Sequence, residues 1–240
     1  TKAGYFGLKL TQVSLSSWSA GGESALAFDS QITYSADFKR DRQLWQNRLE
    51  LGYGLTKNDG KSARKTNDKI YFASTYGYQI YKTLYWSALL NFNTQFAKGY
   101  DYNIEDSDFI SKFMAPGYLM IGTGVTWSPN KIFTATFTPA SWRGTIVADS
   151  RLSDEGAFGV DKGKHLLSEF GANLKAEVNY EFLPNMKVYS RLELYSNYLE
   201  DPQNVDVRWE VQLNMAINKW FSTTLSTNLL YDNDVKIAQK

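Results

Sequence analysis

The chain has no cysteine and one histidine among its 240 residues. Without thiols it can hold neither a disulfide framework nor a thiolate metal site, and it has no cysteine nucleophile. An excess of either charge sign is missing too: 26 Lys and Arg stand against 25 Asp and Glu, a formal net charge of +1. That balance gives no electrostatic footprint for nucleic acid, so no nucleic-acid partner is expected. No run of 18 or more apolar residues occurs, which excludes a transmembrane helix. It does not exclude crossing a bilayer on strands, because a barrel strand turns only alternate residues to lipid. No helical period lasts three turns. Thr1 opens directly into a strand-like segment, so any export signal is expected to have been removed or to lie outside this sequence.

What the chain does have is alternation. From Val205 to Ile217, Val205, Val207, Trp209, Val211, Leu213, Met215 and Ile217 share one face. Asp206, Arg208, Glu210, Gln212 and Asn214 share the other. Successive strand side chains point to opposite sides, so this is a strand with one apolar and one polar face. It is also about twice the usual strand length of five or six residues. The same pattern recurs through Leu26–Phe38, Trp45–Leu55, Ile70–Ile80, Leu84–Phe96, Leu119–Trp127, Phe170–Phe182 and Phe221–Tyr231. Aromatic residues make up 15% of the chain, and such rings favour strands and bilayer interfaces.

Connections alternate between short turns, such as KRDR, the Lys82–Thr83 pair, SPNK and FLPNM, and longer polar loops. TKNDGKSARKTND, Ala97 to Pro116, and Ser153 to Ser168 read as loops. The stretch Lys131 to Leu152 is either a hairpin broken at Pro139 or one crossing with a bulge there; strict loop alternation favours one crossing. The count is then eleven crossings, and since bacterial barrels have even strand numbers, about twelve strands are expected. The fold class is therefore all-β: a single domain, residues 1–240, forming a transmembrane antiparallel up-and-down β-barrel.

A soluble sandwich is the competing reading, but its apolar face would leave far more than a few hundred Å² of apolar patch in water. In lipid, that face is satisfied and the charges turn inward. Trp45, Trp86, Phe96, Trp127, Phe182, Trp220 and Tyr231, near strand ends, suit interfacial girdles. The candidate functional residues are then a lumen charge network: Arg48, Glu50, Lys175, Glu177, Arg191, Glu193, Asp206, Arg208 and Glu210. Asp206, Arg208 and Glu210 are expected to pair with Lys175, Glu177, Arg191 and Glu193 on neighbouring strands.

The blocks WQNRLELGYGL, ARKTNDKI, SALLNFNTQFAKGY, ISKFMAPGYL, EGAFGVDKGK and YSNYLEDPQNVDVRWE, in that order, resemble a Bacteroidota family of outer-membrane β-barrel proteins catalogued only as a domain of unknown function. The resemblance implies an exported barrel in the bacterial outer membrane, with a final amphipathic strand after the YDNDVKI region. It implies no activity and no catalytic residue.

Other sites are weaker. His165, in DKGKHLLSE near Asp161 and Ser168, could serve an outer-membrane lipid hydrolase or acyltransferase, but sequence proximity supplies no oriented nucleophile. Asp101, Asn103, Glu105, Asp106 and Asp108 are oxygen-rich, yet do not match a calcium loop. No metal, cofactor or enzymatic activity is expected. The sequence points to a narrow channel or a membrane-embedded subunit of a larger outer-membrane complex, with lipid (phospholipid and lipopolysaccharide) and other outer-membrane proteins as partners. A loop-mediated binding or adhesion barrel is a further alternative.

Overall fold

The computed structural model describes residues 1–16, 22–104, 108–216, 218 and 221–231. Thirteen strands follow one another: β1 (Lys2–Val13), β2 (Ala25–Arg40), β3 (Gln43–Asn58), β4 (Arg64–Tyr81), β5 (Leu84–Thr94), β6 (Gly99–Tyr100), β7 (Phe109–Ser111), β8 (Gly117–Trp127), β9 (Phe133–Ile146), β10 (Leu166–Leu183), β11 (Met186–Asn197), β12 (Val205–Ala216) and β13 (Ser222–Tyr231). Eleven of them form one sheet in chain order, every neighbouring pair antiparallel. This is the all-β, up-and-down, barrel-like architecture that the alternation predicts. The sheet is not closed: among the described residues β1 and β13 share no pairing.

The short connections lie at one end. They are residues 41–42, 82–83, 128–132, 184–185 and 217–221. Asp41 and Asn185 take positive φ, 51° and 67°, which Asp and Asn tolerate because their short polar side chains bond locally. At the other end the connections are residues 14–24, 59–63, 95–116, 147–165 and 198–204. Both β1 and β13 consequently run from the short-turn end toward the long-loop end.

Several boundaries differ from expectation. TKNDGKSARKTND is mostly strand: β3 runs to Asn58 and β4 begins at Arg64, paired with Thr56. These strand tips carry polar residues on both faces, so no apolar period marks them. The stretch from Ala97 to Pro116 contains the small β6–β7 hairpin. The Pro139 region is one crossing, with register shifts opposite Gly124 and between Gly171 and Asn173. The strand ends at Ile146 rather than continuing to Leu152, and Ser150–Asp154 forms one helical turn, α1. Asp149 caps it by accepting from the Leu152 amide at 3.0 Å, which satisfies an otherwise unpaired helix-end donor. The opening strand spans Val205–Ala216; Ile217 lies outside the described residues, as does Trp220.

Burial is inverted. Among the described residues the buried apolar ones are Ala115, Val147, Leu152, Val160 and Tyr195, and all but Tyr195 belong to a small cluster with Phe109, Phe158 and Leu167. Along the strands the buried positions are instead Ser87, Thr94, Thr136, Thr138, Ser141, Thr145, Asn173 and Asn197. Accessible surface totals 16316 Å², against about 10,900 Å² for a compact soluble monomer of this mass.

Candidate functional site

Pairing fixes which residues share a face. On β3, Arg48, Glu50, Gly52 and Gly54 stand opposite Ala73, Tyr71, Lys69 and Asn67 of β4. Tyr71 stands opposite Asn93 of β5, which stands opposite Tyr118 of β8, and the row continues to Thr145 of β9. The same face carries Glu169, Lys175 and Glu177 of β10, Arg191, Glu193 and Tyr195 of β11, and Asp206, Arg208 and Glu210 of β12. This polar face is the concave one. Tyr71 on β4 lies within electrostatic reach of Arg191 and Glu193 on β11, although β5, β8, β9 and β10 intervene in the sheet. The two walls therefore approach each other across the interior.

Six of the nine charged residues named from the sequence form three ion-paired groups on this face. Arg48 Nε and Lys69 Nζ both donate to the Glu50 carboxylate at 2.5 Å. Arg191 Nη2 donates to Glu210 Oε2 at 2.8 Å, directly across the β11–β12 pair. Lys175 Nζ lies 3.3 Å from Glu177, which also accepts from the Tyr189 hydroxyl at 3.1 Å. Arg208 and Glu193 are Cα partners, but no ion pair joins them among the described residues. Asp206 departs from expectation. Its partner is Arg143 of β9 at 3.2 Å, whose guanidinium also approaches Glu169 at 3.6 Å and stacks 3.6 Å from the Tyr195 ring centre. Sequence reading missed Arg143 because its facing depends on the register shift near Pro139.

Toward the short-turn end, β5, β8 and β9 line the same face with small hydroxyl residues. Ser87 donates to Thr126 at 2.8 Å, and Thr126 and Thr136 share a bond at 3.0 Å. The Thr138, Ser141 and Tyr195 hydroxyls are buried without a hydrogen-bond partner among the described residues. Glycine is required where the bulge crowds the sheet: a Cβ on Gly124 would stand 2.0 Å from the Phe137 carbonyl oxygen, and one on Gly171 2.0 Å from that of Ser196.

The opposite, convex face is apolar. Ile32, Tyr34, Phe38, Trp45, Trp86, Ile121, Trp127, Phe137, Phe170 and Trp209 are each between 41% and 49% exposed. Between Phe28 and Phe38, between Phe170 and Phe182, and between Val205 and Met215, the convex positions carry no Asp, Glu, Lys or Arg. Three convex indoles nonetheless have partners. Trp45 Nε1 donates to Ser74 Oγ at 2.9 Å, Trp142 to Ser168 at 2.6 Å and Trp209 to Ser190 at 3.0 Å. Each serine sits diagonally across a strand pair from its indole. An exposed indole in water needs no protein acceptor; in hydrocarbon an unpaired N–H is costly.

At the long-loop end, His165 Nδ1 bonds the Val147 carbonyl at 2.7 Å. Asp161 is instead paired with Lys164 at 2.8 Å, which holds the Asp161 carboxyl below its usual range. The Ser168 hydroxyl accepts from Trp142. The three are therefore not assembled as a nucleophile, base and carboxylate. Asp101 accepts from the Asn103 backbone and side-chain amides at 3.0 Å. Glu105 and Asp106 lie outside the described residues, and among the described residues no three His, Asp or Glu could hold a metal ion.

Two family models match separate parts of the chain. Residues 10–100 match a protein family of unknown function, DUF3078, and residues 141–240 match a second, also described only as of unknown function, DUF481. No curated protein matches the chain.

Proposed function

We propose that the chain is an integral β-barrel of the bacterial outer membrane, with lipid against its convex face and a narrow polar lumen inside. The observation that carries this reading is the inversion of burial: hydroxyls and amides buried on the concave side, uncharged apolar side chains exposed on the convex side. A water-facing protein would expose the reverse. The tied indoles support the same reading. So does the span of the apolar band: Phe28 to Phe38 is ten residue steps, about 34 Å along an antiparallel strand, and a tilt of about 40° reduces that to about 26 Å. The height expected for a lipid-facing band is about 25 Å. The block resemblance supports a Bacteroidota envelope as its setting, with phospholipid and lipopolysaccharide as immediate neighbours.

Within that setting the protein serves as a narrow channel without enzymatic activity. Its charges are of both signs and mostly paired, which suits a small, weakly selective passage. Planar-bilayer recording of the refolded chain tests this. Discrete conductance steps support the channel; folded, inserted protein that conducts nothing refutes it. That β1 and β13 share no pairing among the described residues favours a second reading, a membrane-embedded subunit that partners another outer-membrane protein. Co-purification from native membranes tests that reading.

A further inference from the structure

At the long-loop mouth of the concave face is a recess of about 360 Å³, lined by Asn67, Asp68, Lys69, Asn93, Thr94, Gln95, Pro116 and Tyr118. We propose that this recess binds a neutral, hydroxyl-rich small molecule, a saccharide unit. This goes beyond a channel or a subunit role, and the recess is built by the folded sheet whether or not the lumen conducts.

The walls are fixed. Asp68 staples β4 to the end of β5 by accepting from the Phe96 and Ala97 amides at 2.7 and 2.9 Å, and it pairs with Lys65 at 2.7 Å. Thr94 donates to the Pro116 carbonyl at 2.9 Å and accepts from the Met114 amide at 3.0 Å. Groups held on strands by such secondary bonds are pre-organised for a ligand.

The unused hydrogen-bonding capacity converges inward. The Asn93 side chain, on an exposed residue, forms no hydrogen bond among the described residues, so its amide is open: two donors and an acceptor. Gln95 spends its NH₂ on the Lys112 carbonyl at 3.1 Å, which leaves its oxygen. Asn67 spends its NH₂ on Asp29 at 3.1 Å, which again leaves its oxygen. Amides in a row, each with a free acceptor or donor, match the mixed donor–acceptor pattern of adjacent hydroxyls. The Tyr118 side chain supplies an aromatic ring of the kind on which a sugar's C–H face packs.

Other ligand classes fit less well. An anion would meet one cation, Lys69, already held by Glu50 at 2.5 Å, and a carboxylate in the same wall. A metal ion would need Asp68, whose oxygens are occupied by two amides and a lysine. An apolar ligand would find only Pro116 and the Tyr118 ring. Size agrees as well. At about 30 Å³ per water the recess holds about twelve waters, and a hexose has about as many non-hydrogen atoms.

The test uses the full chain folded in a detergent without a sugar headgroup. Saturation-transfer NMR and calorimetry are run with D-glucose, D-galactose, D-mannose and N-acetylglucosamine, and with inorganic phosphate for comparison. Saturable millimolar binding of at least one sugar, weakened tenfold or more by Asn93→Ala and by Gln95→Ala, supports the site. Asn214→Ala, on β12 near the short-turn end, should leave binding unchanged. The proposal is overturned if no sugar binds, if phosphate binds more tightly than every sugar, or if the two recess variants bind as the parent does. Heat-modifiable gel migration confirms that each variant is folded.

Discussion

A charge placed on the convex face distinguishes lipid from water more sharply than any deletion. Ile32 lies on that face of β2, 41% exposed, four residues from Phe28 and six from Phe38. Four residues at about 3.4 Å, tilted by about 40°, put it about 10 Å below the long-loop girdle, near the middle of a band about 25 Å tall. Arginine at the middle of such a band costs about 2–4 kcal/mol, falling to about 0–1 kcal/mol near the interface. Ile32→Arg should therefore lower the refolding equilibrium constant by roughly 30- to 700-fold, since 1.4 kcal/mol is about tenfold. Phe38→Arg, at the short-turn girdle and 49% exposed, should change it by about fivefold or less. In water both positions are half-exposed surface sites, where substitutions usually fall within about 0.5 kcal/mol. The assay is reversible denaturant unfolding in phospholipid vesicles, followed by tryptophan fluorescence. If the two variants differ from the parent by less than about 0.5 kcal/mol each, the convex face does not meet lipid and the membrane reading falls.

Three further outcomes are expected. Gly124→Ala forces a Cβ to within 2.0 Å of a backbone oxygen and should destabilise the chain by at least the usual overpacking cost of about 1–3 kcal/mol, whereas Gly4→Ala, whose nearest neighbour lies at 3.7 Å, should be nearly silent in the same denaturation assay. The Arg191–Glu210 pair is about one-third exposed on both sides; a double-mutant cycle with Arg191→Met and Glu210→Gln should show a coupling of about 1 kcal/mol, between the surface and buried limits, and zero coupling would break the assignment. The Lys112 ammonium and the Leu152 amide hold the Asp149 carboxyl below its ordinary range. Its stabilisation of α1 is then present above about pH 4, the unfolded value, and lost as pH falls through the lower folded value. Proteolysis of the 147–165 connection should accelerate in acid, and Asp149→Asn should remove that acid step.

Much of the architecture is legible in the sequence because a two-residue period survives wherever one face is apolar. The Val205 strand follows from it, while the single crossing at Pro139 and the count of eleven crossings follow from the alternation of short turns and long loops. Legibility fails where the period has nothing apolar to mark it. Arg64 to Asp68 are strand, yet every residue there is polar. Arg143 was not named because a two-versus-one bulge resets which face a residue takes, and only the paired strands reveal the shift. The Ser87, Thr126 and Thr136 wall was missed for a different reason: hydroxyl residues give no signal of charge or of hydrophobicity. Ser74, Ser168 and Ser190 could have been found, since each is a hydroxyl with apolar residues at the convex positions on either side of it. Of the nine charged site residues, the Arg191–Glu210 pair follows directly from strand adjacency, while the Asp206 partner required the third dimension.

That β1 and β13 are not paired with each other among the described residues has a consequence for symmetry. Because β1 and β13 point the same way, two copies standing side by side with their loops on one side offer each other only parallel edges. A rotation about the axis normal to the sheet's ends cannot reverse that polarity. Antiparallel pairing at the seam thus demands a strand of opposite polarity, and a self-associating dimer of upright copies cannot supply one from β1 or β13.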